Sequence, residues 1–248
     1  MIKFLKNSFN PGVWMTCFVI FFLPILLYLG YWQISRGFEK KAIWEAYSIN
    51  KTLPPIQEKE LSLYKIEDLF YRSVVIQGSY INDSFLLDNR VYRSKKGYEI
   101  FTPFKSEGQQ VYLVNRGWTS NYSDHPFQAP EGKHLIEGII SPFDKYGLNL
   151  SKTETEESFP VVVQELTHSS ASKLLGKNLS IEEIVIQLSA ASKGSFEPIW
   201  GPTELKAPRH WGYAAQWLGL ALVLLILCLL YTSPSPRDQR GSRMPSSA

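Results

Sequence analysis

Two apolar blocks, one near each end of the chain, constrain this sequence more than any other feature. Val13 to Trp32 reads VWMTCFVIFFLPILLYLGYW, Gly212 to Tyr231 reads GYAAQWLGLALVLLILCLLY, and neither holds a charge. At helical rise each block covers about 30 Å, the thickness of a bilayer core. Two transmembrane helices are therefore expected. A cleaved signal peptide has a shorter apolar core and a small-residue cleavage site, whereas the first block ends in Tyr31-Trp32-Gln33. A soluble core helix rarely runs this long without a charge. Pro24 lies inside the first block, where membrane helices tolerate a kink. Tyr28, Tyr31 and Trp32 close the first block, and Trp211, Tyr213 and Trp217 open the second. Such rings favour the headgroup level, so both clusters are expected at one interface of the lipid bilayer.

The expected organisation is a cytoplasmic tail at 1–12, a first span at 13–32, a β-rich α+β extracytoplasmic domain at 33–211, a second span at 212–231, and a tail at 232–248. The last tail is rich in Ser, Pro and Arg, reads as non-native, and is left out of the argument. A middle segment of about 180 residues translocates largely regardless of charge, which favours cytoplasmic termini and a periplasmic domain. No Arg- and Ser-rich presequence precedes the first span, which points to a bacterial inner membrane. The 26 Lys and Arg against 23 Asp and Glu leave a net charge of +3, too little for a nucleic-acid binder driven by bulk charge. Cys17 and Cys228 both fall inside the spans, so the domain has neither disulfide nor thiolate ligands.

Within the domain, the first helix should continue past Arg36 to about Ala46 and stop at Leu53-Pro54-Pro55. Strands are expected at 72–80, 84–92, 98–104, 110–118, 134–141, 160–164 and 183–188, from β-branched and aromatic runs set off by turn residues. A short helix is expected over 166–176, ending at Gly176. This reads as an antiparallel barrel or sandwich. The acidic stretch Ser151–Ser158 reads as a solvated loop.

No nucleophile elbow, phosphate loop, zinc motif or Cys-x-x-Cys is present, so a non-enzyme is expected. His125, His134 and His168 have no partner at ligand spacing. Two strands end in Asn-Arg, at Arg90 and Arg116, where a guanidinium can pair with a carboxylate or phosphate, or simply support a turn. Gly117 would permit a turn and Trp118 would cover the core. His210 stands apart. It shares a helical face with Ala214 and Trp217, with Tyr213 beside them. An imidazole at the membrane surface among rings and small residues suits haem, with Arg209 and Lys206 near the propionates; an interfacial anchor is the plainer alternative. Ala215 and Gly219 lie four apart and would let the first span or a partner helix approach.

These residues resemble the Surfeit locus protein 1 family, the cytochrome c oxidase assembly factors. The resemblance runs from about Trp14 to Tyr231. It rests on Leu29-Gly30-Tyr31-Trp32-Gln33-Ile34-Ser35-Arg36, Gly78-Ser79-Tyr80, Leu87-Asp88-Asn89-Arg90, Gly97-Tyr98 with Thr102-Pro103, Asn115-Arg116-Gly117-Trp118 and His210-Trp211-Gly212-Tyr213-Ala214-Ala215-Gln216-Trp217. It implies an assembly factor for haem–copper cytochrome c oxidase that binds haem a transiently and presents it to the catalytic subunit. The implied partners are oxidase subunit I or its assembly intermediate, and haem a synthase. His210 would be the iron ligand, with Tyr213, Trp217 and Arg209 around the cofactor. Trp32, Gln33, Arg36, Arg90, Arg116 and Trp118 are interaction candidates. A haem-independent structural chaperone is the alternative, and a tethered enzyme with Arg90, Arg116 and a distant carboxylate in one pocket is the third reading.

Overall fold

The computed structural model describes residues 13–120, 127–143, 146–147, 159–176, 179–203 and 206–231. His125, the stretch Ser151–Ser158 and both tails lie outside them. The chain divides into a helical unit, up to Ala42 and from Thr203 onward, and a domain, Ile43–Pro202.

In the helical unit, α1 begins at Val13 and, as one helix, runs to Asn50, and α4 spans Ala207–Tyr231. Pro24 lies inside α1 without interrupting it. Helix α4 starts ahead of the expected Gly212, because Pro208 fits a first turn that needs no N–H from it. Both helices are long and apolar enough to cross a membrane, and only 6% and 22% of their most apolar windows is buried. Phe21, Leu27, Leu222, Val223 and Leu227 are among the side chains left bare. A soluble core helix would bury such groups, so the chain is membrane-associated.

The better-covered positions of α4 are Ala207, His210, Ala214, Trp217, Ala221, Leu224 and Cys228. Those of α1 include Val19, Leu23, Leu26, Gly30, Gln33 and Gly37. Both sets alternate steps of three and four, the spacing of a left-handed helix seam. Gly30 faces Leu218 and Trp217, and Gly37 faces Trp211 so closely that a Cβ there would overlap the indole. Ala215 and Gly219 are exposed, with nothing near Gly219. The expected small-residue approach to the first span is therefore made instead by Gly30 and Gly37. Trp217 and Leu218 fill the space that a glycine on α1 leaves, so α4 needs no small residue opposite.

The domain comprises β1 Ile56–Gln57, a 3-10 turn Glu58–Leu63, α2 Ile66–Leu69, β2 Ser73–Tyr80, β3 Phe85–Tyr92, β4 Lys95–Ser106, β5 Val111–Thr119, β6 Lys133–Pro142, β7 Tyr146–Gly147, β8 Val161–Val163, β9 Glu165–Leu166, α3 His168–Leu175 and β10 Ile181–Leu188. Every expected strand is present. Strands β2, β6, β10, β5 and β4 pair in that order, and β4 pairs back to β2, closing a five-stranded barrel. Gly78 sits at the closure, where a Cβ would overlap the Lys105 carbonyl. The all-antiparallel expectation needs correction. Strands β5 and β10 run parallel, as do β1 with β2 and β3 with β8. Tight hairpins force neighbours to be antiparallel, but β10 arrives after a long connection and is free to run either way.

Alternation along shared strands builds two cores. Val74, Ile76, Phe104, Tyr112, Val114, Ile136, Ile140, Ile184 and Ile186 come from all five barrel strands and fill its interior. Phe85, Leu87, Phe101, Leu113, Val163, Ala171, Leu175 and Val185 form a second core that includes α3. Tyr112 and Leu113 thus point into different cores from adjacent positions, and β5 is buried on both faces. Thr167 caps α3, its hydroxyl accepting from the Ser170 N–H at 3.2 Å, and Gly176 ends it.

Replacing Phe104 by Ala should open the barrel interior and lower stability by about 3–5 kcal/mol. Denaturant unfolding of the full chain in detergent, followed by far-UV circular dichroism, measures the loss.

Candidate functional site

His210 sits on the first turn of α4, on the seam face, and is only 8% exposed. Its Nδ1 lies 2.9 Å from Oε1 of Gln33 on α1. A carbonyl oxygen accepts, so Nδ1 carries the proton and donates. The other nitrogen, Nε2, is buried and has no hydrogen-bond partner among the described residues. The imidazole is thus held by one nitrogen and keeps an uncommitted lone pair on the other. A histidine that serves as a metal ligand needs this state, with its second nitrogen fixed by an acceptor.

The surrounding residues fit haem in donor chemistry but not in open space. His210, Ala214 and Trp217 do share a face, but that face meets α1. Ala214 is 3% exposed, so no flat ligand lies along it in this arrangement. Tyr213 and Arg209 are exposed, four residues apart along the rim of the seam, and Trp217 is half-buried beside them. Of the residues in the Trp-Gln-x-x-Arg string, Gln33 points into the seam while Trp32 and Arg36 stay outside. The Arg36 guanidinium lies 5.9 Å from the Trp32 ring centroid and pairs with Glu39 at 2.6 Å. Sequence reasoning placed Gln33 among interaction residues without joining it to His210. The available signal was a lone amide at the end of one charge-free block and a lone imidazole at the start of the other.

The domain's candidates serve the fold. Arg116 is 3% exposed and donates from Nε to the Gly194 carbonyl at 2.8 Å and from Nη1 to the Phe127 carbonyl at 2.9 Å. Its guanidinium lies over the rings of Tyr80 and Phe196, 5.6 and 4.9 Å from their centroids. Trp118 is 8% exposed and donates from its indole to the Arg90 carbonyl at 2.9 Å. Both side chains are largely buried in the fold, so the surface each presents is small. With its Nε–H and one Nη1–H given to the Gly194 and Phe127 carbonyls, the Arg116 guanidinium ties both of those segments to β5.

Arg90 meets a carboxylate, as a strand-end arginine can. Its Nε lies 2.8 Å from Oε2 of Glu99, whose side chain is 1% exposed. Glu99 Oε1 accepts from Asn115 Nδ2 at 2.6 Å, and the same amide nitrogen donates to Gln187 Oε1 at 2.8 Å. Gln187 Nε2 continues to Ser141 Oγ at 2.8 Å and the Tyr146 hydroxyl at 3.0 Å. This polar string joins six strands and went unseen in the sequence, since its members come from distant positions. Asn115 and Gln187 also line a cavity of about 280 Å³ with Tyr47, Trp200 and Glu137. Neither arginine lines it, so the two arginines and a carboxylate do not converge there, as the tethered-enzyme reading required.

Fold and site together define a membrane-associated protein whose two apolar helices meet at a Gln–His pair and whose domain is a five-stranded barrel. The SURF1 family model matches residues 20–222, which include both paired residues and the barrel. The chain belongs to this family. It is 32% identical to a SURF1-like protein of Rickettsia conorii over 224 residues, covering 87% of this chain and 90% of that protein. Identity to the SURF1-like protein of Rickettsia bellii is 33% over 215 residues, 84% and 86% of the two chains. The cytochrome oxidase assembly protein SHY1 of Saccharomyces cerevisiae is 30% identical over 141 residues, 52% of this chain and 36% of the yeast protein.

Arg116→Ala should cost about 1–3 kcal/mol, because it strips two half-buried carbonyls of their donor; chemical denaturation of the full chain reads it. Burial pushes the Tyr80 hydroxyl from 10 up to about 12, against the opposing pull of Arg116. The unfolded chain therefore loses this proton first as pH rises. The Tyr80 contribution is complete below pH 10 and is lost as pH climbs to about 12. Denaturation midpoints over that window should fall less steeply in Tyr80→Phe than in the parent.

Proposed function

We propose that this protein assists assembly of cytochrome oxidase as a non-catalytic factor that accepts haem a and passes it to the catalytic subunit. The function named for the yeast relative supports the oxidase role. The observation that carries the haem reading is the buried, partnerless Nε2 of His210, with Nδ1 committed to Gln33. Imidazole is a common axial donor to haem iron, and a bare Nε2 is the form that ligates. Because Nε2 is buried, α1 and α4 must part at His210 before it reaches iron. Tyr213 and Trp217 would hold the macrocycle and Arg209 a propionate. Haem a synthase would supply the cargo, and tighter binding in oxidase subunit I would draw it away. Both helices cross the inner membrane in this reading, with both termini cytoplasmic and the domain periplasmic.

The burial of Nε2 also favours a second reading, in which His210 and Gln33 only join the two helices and the protein chaperones an oxidase intermediate without haem. Purification from cells that make haem a separates the two. The carrier reading expects a haem a spectrum in the parent and its loss in His210→Ala with the protein still folded. An unchanged spectrum and occupancy in His210→Ala overturns ligation by this residue. Oxidase subunit I that co-purifies equally with His210→Ala and under haem depletion supports the chaperone.

A further inference from the structure

Resting on the haem reading above, we infer that Gln33 is a positioning residue that selects which nitrogen of His210 carries the ligating lone pair. A neutral imidazole has one N–H and one lone pair, and the group facing each nitrogen decides their places. Oε1 of Gln33 faces Nδ1 at 2.9 Å, while Nε2 faces no hydrogen-bond partner among the described residues. Two arrangements compete at this buried ring. With the amide oxygen toward Nδ1, the orphan is a bare acceptor at Nε2. With the amide nitrogen toward Nδ1, the orphan is an N–H at Nε2. Buried orphan donors are rarer than orphan acceptors, so the first arrangement is the less costly.

Gln33 reaches the ring because the seam brings the backbones close on either side of it. Gly30, one turn before, faces Trp217 and Leu218, and Gly37, one turn after, faces Trp211. The amide thus does more than join two helices. It presets the Nε2 lone pair before any iron arrives. Remove the acceptor and the proton is free to move to Nε2, leaving a blocked ligand and a lone pair on the α1 side.

The test uses the full chain in detergent, labelled with nitrogen-15 histidine, free of haem, with His210→Ala assigning the His210 resonances. The parent and Gln33→Glu, which keeps an acceptor, should show a protonated Nδ1 and a bare Nε2. Gln33→Leu, close in shape but without an acceptor, should shift the ring toward the Nε2–H tautomer. Titration of the same samples with haem a should then give about 10- to 100-fold weaker binding for Gln33→Leu, restored in Gln33→Glu. A parent-like tautomer in Gln33→Leu overturns the inference whatever haem a does. If the tautomer shifts but the parent binds no haem a, the role of Gln33 stands and the haem reading falls.

Discussion

Helices that leave most of their apolar side chains bare need an apolar solvent, and everything in the helical unit follows from that. In lipid there is little hydrophobic drive to press two helices together, because tails are as apolar as leucine. Association then depends on close fit and on polar groups that find each other. The α1–α4 seam supplies both. Gly30 and Gly37 remove the side chains that would hold the backbones apart, and Trp217 and Trp211 lie against them. Gln33 and His210 supply the polar link between these contacts. The same constraint explains why Nε2 stands out. In a seam otherwise closed by packing, a buried nitrogen with no partner among the described residues keeps an uncommitted lone pair.

The domain solves a different problem. Five short strands closed into a ring have few free edges, and β5, buried on both faces, serves as the wall between two cores. The polar string from Arg90 to Tyr146 runs across this assembly and links β3, β4, β5, β10, β6 and β7 by side chains. The hydrogen bonds among Glu99, Asn115, Gln187, Ser141 and Tyr146 specify a single register, since a slip by one residue would leave several of these groups unpaired. Asn89 at φ +61 and Gly117 at φ +103 place the irregular steps that turn Arg90 toward Glu99 and let the 196–197 segment pair with β5.

Much of this was legible in the order of residues. Runs of Val, Ile and aromatics between turn residues marked strands that formed within a few positions of their expected limits. Closure and strand direction were not legible. The pairing of β4 with β2, and of β5 with β10, joins segments with no local sequence relation. For the same reason the Asn-Arg strings kept two readings open. Arg90 took the carboxylate and Arg116 took carbonyls, a choice made by what lay across each strand.

The two apolar helices and the strand-rich middle were determined by the sequence itself, because each rests on composition or spacing within a short window. Tertiary structure alone decided that the His210 face meets α1, that Gly30 and Gly37 make the close approach, and that Gln33 is the partner of Nδ1. These depend on the rotation of one helix against another. No periodicity within a single segment fixes that rotation, since it is the packing of both faces together that does.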